Sequence, residues 1–282
     1  LRRSPLLHLP LQTLFLWDNH VLTLLEKWQA GPGRRVRQWL DILGELEALS
    51  GLAALAFDRP DWTFPKFVNE QTIKDEQLGP PLIPYESRVC NDIDIGPPGT
   101  FMLVTGPSMS GKSTLLRTIG INIALAQAGA PVCATSLLMP PVVLGTSIRI
   151  RDSLHEQLSF FMAEVLRLKQ VVEISRNKEG RLLVFLLDEL LSGTSAEDRR
   201  EAVRKVILHL IAQGGIGVVS THDLSLAEIA EFREACIPFH FLGEFQADAE
   251  LPVMQFDFKL REGSTSSGNA LRLLEMMGIK LG

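Results

Sequence analysis

The stretch from Phe101 to Arg117, FMLVTGPSMSGKSTLLR, constrains this chain more than any other feature. Its first residues form a short apolar run typical of a buried strand, and a glycine-rich turn leads into a helix that opens near Lys112. The turn fits the pattern G-x-x-x-x-G-K-[ST]. Glycines let backbone N–H groups point inward at phosphate oxygens, and a helix N-terminus adds partial positive charge. The stretch therefore predicts a phosphate-binding loop, with an ordinary glycine turn as the alternative.

The residue types of this loop predict a nucleoside triphosphate as the ligand. Lys112 is expected to reach the β- and γ-phosphates, and the Ser113 hydroxyl is expected to ligate Mg²⁺. The residues assigned to nucleotide binding run without a gap: Gly106, Pro107, Ser108, Met109, Ser110, Gly111, Lys112, Ser113 and Thr114.

Composition narrows the class of protein. The 282 residues are 46% hydrophobic, which suits one large or two modest globular domains with a full core. The net charge of −5 supplies no overall positive field that would attract nucleic acid, although it does not exclude a local basic patch. The cysteines Cys90, Cys133 and Cys236 are scattered and form no C-x-x-C pair, which predicts reduced thiols in a cytoplasmic protein. The apolar segment 6–17 is too short and too interrupted to span a membrane.

Changes in pattern divide the chain into three segments, 1–58, 59–100 and 101–282. Apolar residues recur every three or four positions in 9–28 and in 35–57, which predicts two helices joined into an antiparallel hairpin. The tryptophans of these faces are predicted to lie in a core, a ligand box being the alternative. The second segment is rich in Pro, Gly, Asn and Asp. It is predicted to be a β-rich lead-in, in which 88–95 enters the main sheet.

From residue 101 onward, strand patterns and helix patterns alternate. Strands are predicted at 101–104, 131–134, 142–149, 182–187, 216–220, 239–242 and 253–260. Helices are predicted at 112–128, 159–175, 196–213 and 269–277. This alternation around a phosphate loop predicts an α/β fold, a P-loop NTPase with a mostly parallel sheet flanked by helices and preceded by the helical hairpin.

Three polar side chains after predicted strands are candidates for the chemistry. Asp188, at the tip of an unbroken apolar run, is expected to hold Mg²⁺ beside Ser113. Glu189 is expected to orient or deprotonate the attacking water, and His222 to sense the γ-phosphate. The alternatives are a carboxylate pair that merely caps a loop and a histidine that only packs.

Five stretches together resemble the ATPase domain of the MutS family: TGPSMSGKSTLLRTIG, AQAGAPVCA, RDSLHEQLSFFMAE, LLDELLSGTSAEDR and VVSTHD. The loop GPSMSGKST is similar to the family's GPNMxGKST. Ser159 opens the segment SFFM, which resembles the family's S-T-F-M signature. The resemblance covers roughly 88–278, and the preceding hairpin looks like the end of the family's core domain.

The resemblance implies an ATPase that uses ATP and Mg²⁺ and works as a homodimer with composite sites. Ser159 is then expected to reach the ATP of the opposite subunit, an ordinary helix-capping serine being the alternative. Closure of the dimer around ATP is expected to couple nucleotide state to DNA, bound without sequence preference, or to a protein partner.

Departures from the family change some of these expectations. Nothing resembles the family's mismatch-reading domain or its long lever and clamp helices, so mismatch recognition by this chain is not expected. A membrane is expected as a partner only if a preceding part of a longer parent protein supplies an anchor. Two other functions stay open: a nucleotide-gated scaffold or DNA-binding module with negligible hydrolysis, and a transporter-type ATPase subunit. SFFM in place of L-S-G-G-Q argues against the transporter type.

Overall fold

The computed structural model describes residue 10 and residues 12–148, 160–191, 194–246 and 253–264. The chain separates into two compact units, Leu1–Phe57 and Asp58–Gly282. No helix in the described part of the chain is both long enough and apolar enough to cross a membrane.

The first unit is helical. Helix α1 is Trp17–Ala30 and helix α2 is Val36–Asp58, with a short 3₁₀ turn at Pro32–Arg35 between them. The helices form where the periodicity predicts them, but neither buries a residue. Trp28 is 46% exposed and Trp39 is 49% exposed, so the prediction of a tryptophan core is wrong. The apolar stripes lack a covering surface among the described residues, and a stripe becomes a core only when another element covers it.

The described part of the second unit contains two sheets and three α-helices. Its strands are β1 (Lys66–Phe67), β2 (Ile73–Leu78), β3 (Asn91–Ile95), β4 (Phe101–Thr105), β5 (Ser136–Met139), β6 (Val142–Ser147), β7 (Leu182–Asp188), β8 (Ile216–Ser220), β9 (Cys236–Gln246) and β10 (Val253–Glu262). Its helices are α3 (Lys112–Gln127), α4 (Phe160–Arg176) and α5 (Ala196–Ala212).

The main sheet has six strands in the order β10-β9-β4-β8-β7-β6, and all neighbours are parallel except β10 and β9. Helices cover both faces, which is why β4, β7 and β8 carry no polar side chain before their last residue. Met102 and Val104 share a core with α3, whereas Phe101 and Leu103 share a second core with α4 and α5. The alternation of side chains along β4 thus divides one strand between two cores. The expected mixed α/β architecture with a mostly parallel sheet is confirmed.

Two predictions about strands are wrong. Residues 88–95 do not enter the main sheet, because β3 pairs with β2 in a separate four-stranded sheet of order β1-β5-β2-β3. In β3, buried Ile93 and Ile95 alternate with exposed aspartates, a pattern that fits a sheet covered on one face only. The predicted strand at 131–134 is reduced to a bridge between Thr63 and Val132.

The reason for the second error lies in the hydrogen bonds of segment 131–134. Pro131 has no backbone N–H, and the N–H of Cys133 donates to the side chain of Asn122 instead of to a strand. Two further predictions, the helix at 269–277 and the signature residue Ser159, lie outside the described residues.

Candidate functional site

The loop between β4 and α3 takes its shape from two glycines in the left-handed region. Gly106 has a φ of 147° and Gly111 a φ of 105°. A Cβ on Gly106 would stand 2.9 Å from the hydroxyl of Ser110, so a larger residue would fill the cradle. Ser110 is buried, and its Oγ has no hydrogen-bond partner among the described residues. The middle of the loop, at Ser108 and Met109, is exposed.

Lys112 begins α3 and turns back beneath the loop. Its side chain is buried, and Nζ donates to the carbonyl oxygens of Gly106 at 3.1 Å and Pro107 at 3.0 Å. Nζ also lies 3.6 Å from Oε1 of Glu189. Burial lowers the pKa of Lys112, and the nearby Glu189 carboxylate opposes that effect. The result is a positive charge that carbonyl dipoles hold at the mouth of the loop.

Asp188 and Glu189 leave the tip of β7 in different directions. Asp188 pairs with Ser220 across β7 and β8, and the Ser220 hydroxyl donates to Oδ1 of Asp188. Glu189 has a φ of 47°, uncommon for a residue with a side chain, and its N–H donates to the carbonyl oxygen of Ser220 at 3.1 Å. This turn sends the Glu189 carboxylate toward Lys112.

His222 follows β8 and completes a group of three charged or titratable side chains. Its Nε2 lies 2.8 Å from Oε1 of Glu189 and 3.3 Å from Nζ of Lys112. Nε2 can either donate to the carboxylate or accept from the ammonium, but not both, and the shorter contact favours the tautomer in which Nε2 donates to Glu189. The structure therefore brings Lys112, Glu189 and His222 together at the ends of three strands.

The remaining predicted residues flank this group. Ser113 and Thr114 occupy the first turn of α3, and Ser113 is partly buried with no hydrogen-bond partner for its hydroxyl among the described residues. Asp223, next to His222, accepts from the N–H and hydroxyl of Ser225 and lies 3.4 Å from Nε of Arg200. These bonds anchor the chain directly after His222.

Sequence reasoning missed Glu164 on α4. Its side chain is buried, and Oε1 accepts a hydrogen bond from the N–H of Leu191 at 2.5 Å. Burial raises the pKa of this carboxyl group, and the Leu191 N–H opposes the rise. Glu164 thereby holds the turn that follows Glu189. The position of Glu164 shortly after the segment SFFM was the feature of the sequence that could have identified it.

Two cavities adjoin the loop and the carboxylates, and neither could be read from the sequence. The first, of about 230 Å³, lies beside Gly111 and Thr114 and is walled by apolar residues including Val89 and Phe258. The side chain of Asn91 joins β3 to β10 at its edge, because it donates to the carbonyl oxygen of Phe258 and accepts from the N–H of Leu260. The second, of about 170 Å³, is lined by Glu189, His222, Arg199 and Arg200 among others.

The fold and the site define a class: a mixed α/β protein whose glycine-rich, lysine-bearing loop joins a central parallel strand to a helix, beside two carboxylates and a histidine. The comparison with known families then shows which family of that class the chain belongs to. The model of MutS domain V matches residues 102–280, so the chain belongs to the MutS family. The resemblance seen in the motifs is confirmed.

Two relatives illustrate the relationship. The chain is 32% identical to Endonuclease MutS2 of Thermus thermophilus over 200 residues, which is 71% of this chain and 26% of the relative. It is 28% identical to DNA mismatch repair protein MutS of Natronomonas pharaonis over 254 residues, 89% of this chain and 28% of the relative. The chain thus spans roughly a quarter of the length of these relatives.

Proposed function

We propose that this chain is a P-loop domain that binds and hydrolyses ATP with Mg²⁺ in a MutS-like protein. The observation that carries the proposal is the convergence of Lys112, Glu189 and His222, with Glu189 Oε1 at 3.6 Å from the lysine and 2.8 Å from the histidine. A cation for phosphates beside a carboxylate for water is the arrangement that phosphoryl transfer to water requires.

The loop is suited to a triphosphate. Gly106 leaves the space that a side chain would fill, and the buried Ser110 hydroxyl has a donor that no described residue uses. In our proposal the Lys112 ammonium donates hydrogen bonds to the phosphates. These bonds replace the ones that it now donates to the carbonyl oxygens of Gly106 and Pro107. The apolar pocket beside Gly111 and Thr114 binds the adenine base of ATP in this proposal, since ligand pockets are lined mainly by apolar side chains with few polar groups.

The same residues fit a magnesium ion. The hydroxyl of Ser113 is uncommitted among the described residues, and Asp188 is a carboxylate whose Oδ1 is oriented by Ser220. Hydroxyl and carboxylate oxygens are the ligands that Mg²⁺ takes. The ion would neutralise charge on the phosphate oxygens.

In the proposed reaction Glu189 accepts a proton from the attacking water. Hydrogen bonding to His222 orients the carboxylate for that step, and Glu164 holds the backbone turn behind it. Lys112 stabilises the negative charge that the phosphates carry into the transition state. Positioning and charge account for most of the catalysis of phosphoryl transfer.

Dimerisation extends the proposal to a second copy of the chain. The first turns of α4 carry exposed apolar side chains, among them Phe161, Val165 and Leu166, directly after Ser159 in the chain. We propose that two copies meet there around ATP, with Ser159 reaching the partner's nucleotide. ATP-dependent closure would then act on DNA, without mismatch discrimination, or on a protein partner.

The test is phosphate release from ATP, measured with Mg²⁺ and with a chelator. We expect Mg²⁺-dependent turnover by the wild-type chain. Glu189→Gln should keep ATP affinity and lower turnover by about a hundredfold, because it removes the base and preserves the shape. Glu173→Gln, an exposed change on α4, is the matched control. ATP binding without turnover in the wild type would favour a nucleotide-gated scaffold, and no binding at all would refute the proposal.

A further inference from the structure

Two of the three cysteines, 43 residues apart in sequence, lie close together in space beside Gly79. The sulfur of Cys133 is 2.7 Å and that of Cys90 is 3.0 Å from the point where a Cβ on Gly79 would stand. The two sulfurs are therefore less than 6 Å apart. Both thiols are free. Because Gly79 has no side chain, both sulfurs can approach the point where its Cβ would stand, and a bond between them requires their separation to shorten by no more than about 4 Å.

The two thiols differ in access and in charge environment. Cys133 is buried, and Arg88 donates from Nη1 to its sulfur at 2.7 Å. Burial raises the pKa of Cys133 and the Arg88 guanidinium opposes the rise. Arg88 is itself buried and oriented by Asp61, whose Oδ2 is 3.8 Å away. Cys90 is partly exposed, so an oxidant in solution reaches it first.

We propose that Cys90 and Cys133 are a reversible thiol pair that closes to a disulfide under hydrogen peroxide. The Cys90 sulfur attacks one peroxide oxygen, giving a sulfenic acid and one water. The Cys133 sulfur then attacks the Cys90 sulfur. The S–S bond forms, the S–O bond breaks, and the hydroxyl leaves as a second water with the proton of Cys133. Two thiols lose two electrons and two protons in all, and one peroxide is reduced to two waters. Arg88 stabilises the Cys133 thiolate for the second step.

The pair adjoins the wall of the pocket beside the loop. Val89 and Asn91, the neighbours of Cys90, line that pocket, as do Leu78 and Pro80, the neighbours of Gly79. Asn122 ties Gly79 and Cys133 together, donating to the carbonyl oxygen of the first and accepting from the N–H of the second. A disulfide between Cys90 and the anchored Cys133 therefore draws Val89 and Asn91, and with them this part of the pocket wall, toward Gly79. Assigning the pocket to the base rests on the proposed function, and closure of the disulfide then lowers ATP affinity.

The first arm of the test needs no nucleotide. The reduced chain is treated with hydrogen peroxide, free thiols are blocked with N-ethylmaleimide, and peptides are mapped by mass spectrometry. We expect a Cys90–Cys133 peptide that dithiothreitol reverses, retained in Cys236→Ser and absent from Cys90→Ser and Cys133→Ser. Cys236 is the matched control, since burial raises its pKa to about 11 and no described partner offsets it. Blocked Cys90 and Cys133 after peroxide, or a disulfide that uses Cys236, would overturn the pair.

The second arm measures ATP affinity of the reduced and oxidised chain in parallel. We expect about tenfold weaker binding after oxidation, a coupling of ordinary size, with recovery on reduction and no change in Cys90→Ser. Unchanged affinity in a chain that carries the disulfide would overturn the link to the pocket. Failure of the reduced chain to bind ATP while the disulfide still forms would refute the proposed function and leave the thiol pair standing.

Discussion

Glu189 and Lys112 approach to 3.6 Å although they follow two strands, β7 and β4, that are not neighbours in the sheet. Strand β8 lies between them and ends at Ser220, two residues before His222, whose Nε2 is 2.8 Å from Oε1 of Glu189 and 3.3 Å from Nζ of Lys112. The strand order thus places the histidine in the middle of the group. In the proposed function, a nucleotide phosphate that accepts hydrogen bonds from Lys112 would separate this ion pair.

Replacement of Lys112 should abolish tight nucleotide binding. In the proposed site the Lys112 ammonium is a cation that the loop offers to the phosphates, and the loss of its charge-assisted hydrogen bonds should weaken ATP binding by Lys112→Ala about a hundredfold. Equilibrium titration with ATP measures it. Lys169→Ala, which removes an exposed lysine paired with Glu173 on α4, should bind as the wild type does. Wild-type affinity in folded Lys112→Ala would rule out the phosphate role.

Replacement of His222 should slow turnover less than replacement of Glu189. His222→Ala removes the hydrogen bond to the Glu189 carboxylate and leaves this proposed base in place, so we expect kcat to fall by about tenfold with little change in KM. Steady-state phosphate release measures both constants, and His20→Ala in the first unit is the control. Equal kcat in His222→Ala and the wild type would mean that the histidine only packs.

Complementation between two defective chains should test the composite site. We expect Ser159→Ala to keep ATP binding and lose ATP-induced dimerisation and turnover, because in the proposed dimer the hydroxyl that it lacks serves the partner's site. Mixing it with Lys112→Ala should restore one working site per dimer. Light scattering with ATP and phosphate release on mixing are the measurements. A monomer in ATP at high concentration, or mixtures with no activity, would leave Ser159 as a helix cap worth about 1 kcal/mol.

The stability of the second unit should fall as pH rises toward 8. Burial raises the pKa of Asp75 to about 8, with the neighbouring Asp92 and Asp94 adding to the rise. The unfolded carboxyl titrates near 3.8, so the folded state holds one more proton between these values and loses stability as pH increases through that window. One Asp75 oxygen has no described hydrogen-bond partner, as fits a protonated group.

Asp75→Asn mimics the protonated carboxyl and should remove this dependence. At pH 8 we expect its Tm to exceed that of the wild type by at least about 3 °C, and at pH 4 the two should agree. Glu76→Gln, the exposed neighbour on the same strand, is the control and should behave as the wild type does. Parallel pH profiles for Asp75→Asn and the wild type would show that Asp75 is ionised in the fold.

Local features of the sequence were sufficient to predict much of the fold and to select the residues that meet at the candidate site. Unbroken apolar runs identified the central strands at 182–187 and 216–220, since a strand covered on both faces needs apolar side chains on both. The glycines at 106 and 111 identified the loop, because its backbone enters the left-handed region there. Asp188, Glu189 and His222 were recognisable as polar residues at or just after the ends of such strands.

Features that depend on partners distant in sequence were decided by the tertiary structure alone. The placement of β3 in a second sheet, the exposure of the α1 and α2 tryptophans and the burial of Asp75 all depend on which element covers which face. The same holds for the approach of Cys90 to Cys133 across Gly79, which no spacing of cysteines predicts. The periodicity of the sequence predicts which side of a helix or strand is apolar. Strand order and packing determine which other element contacts that side.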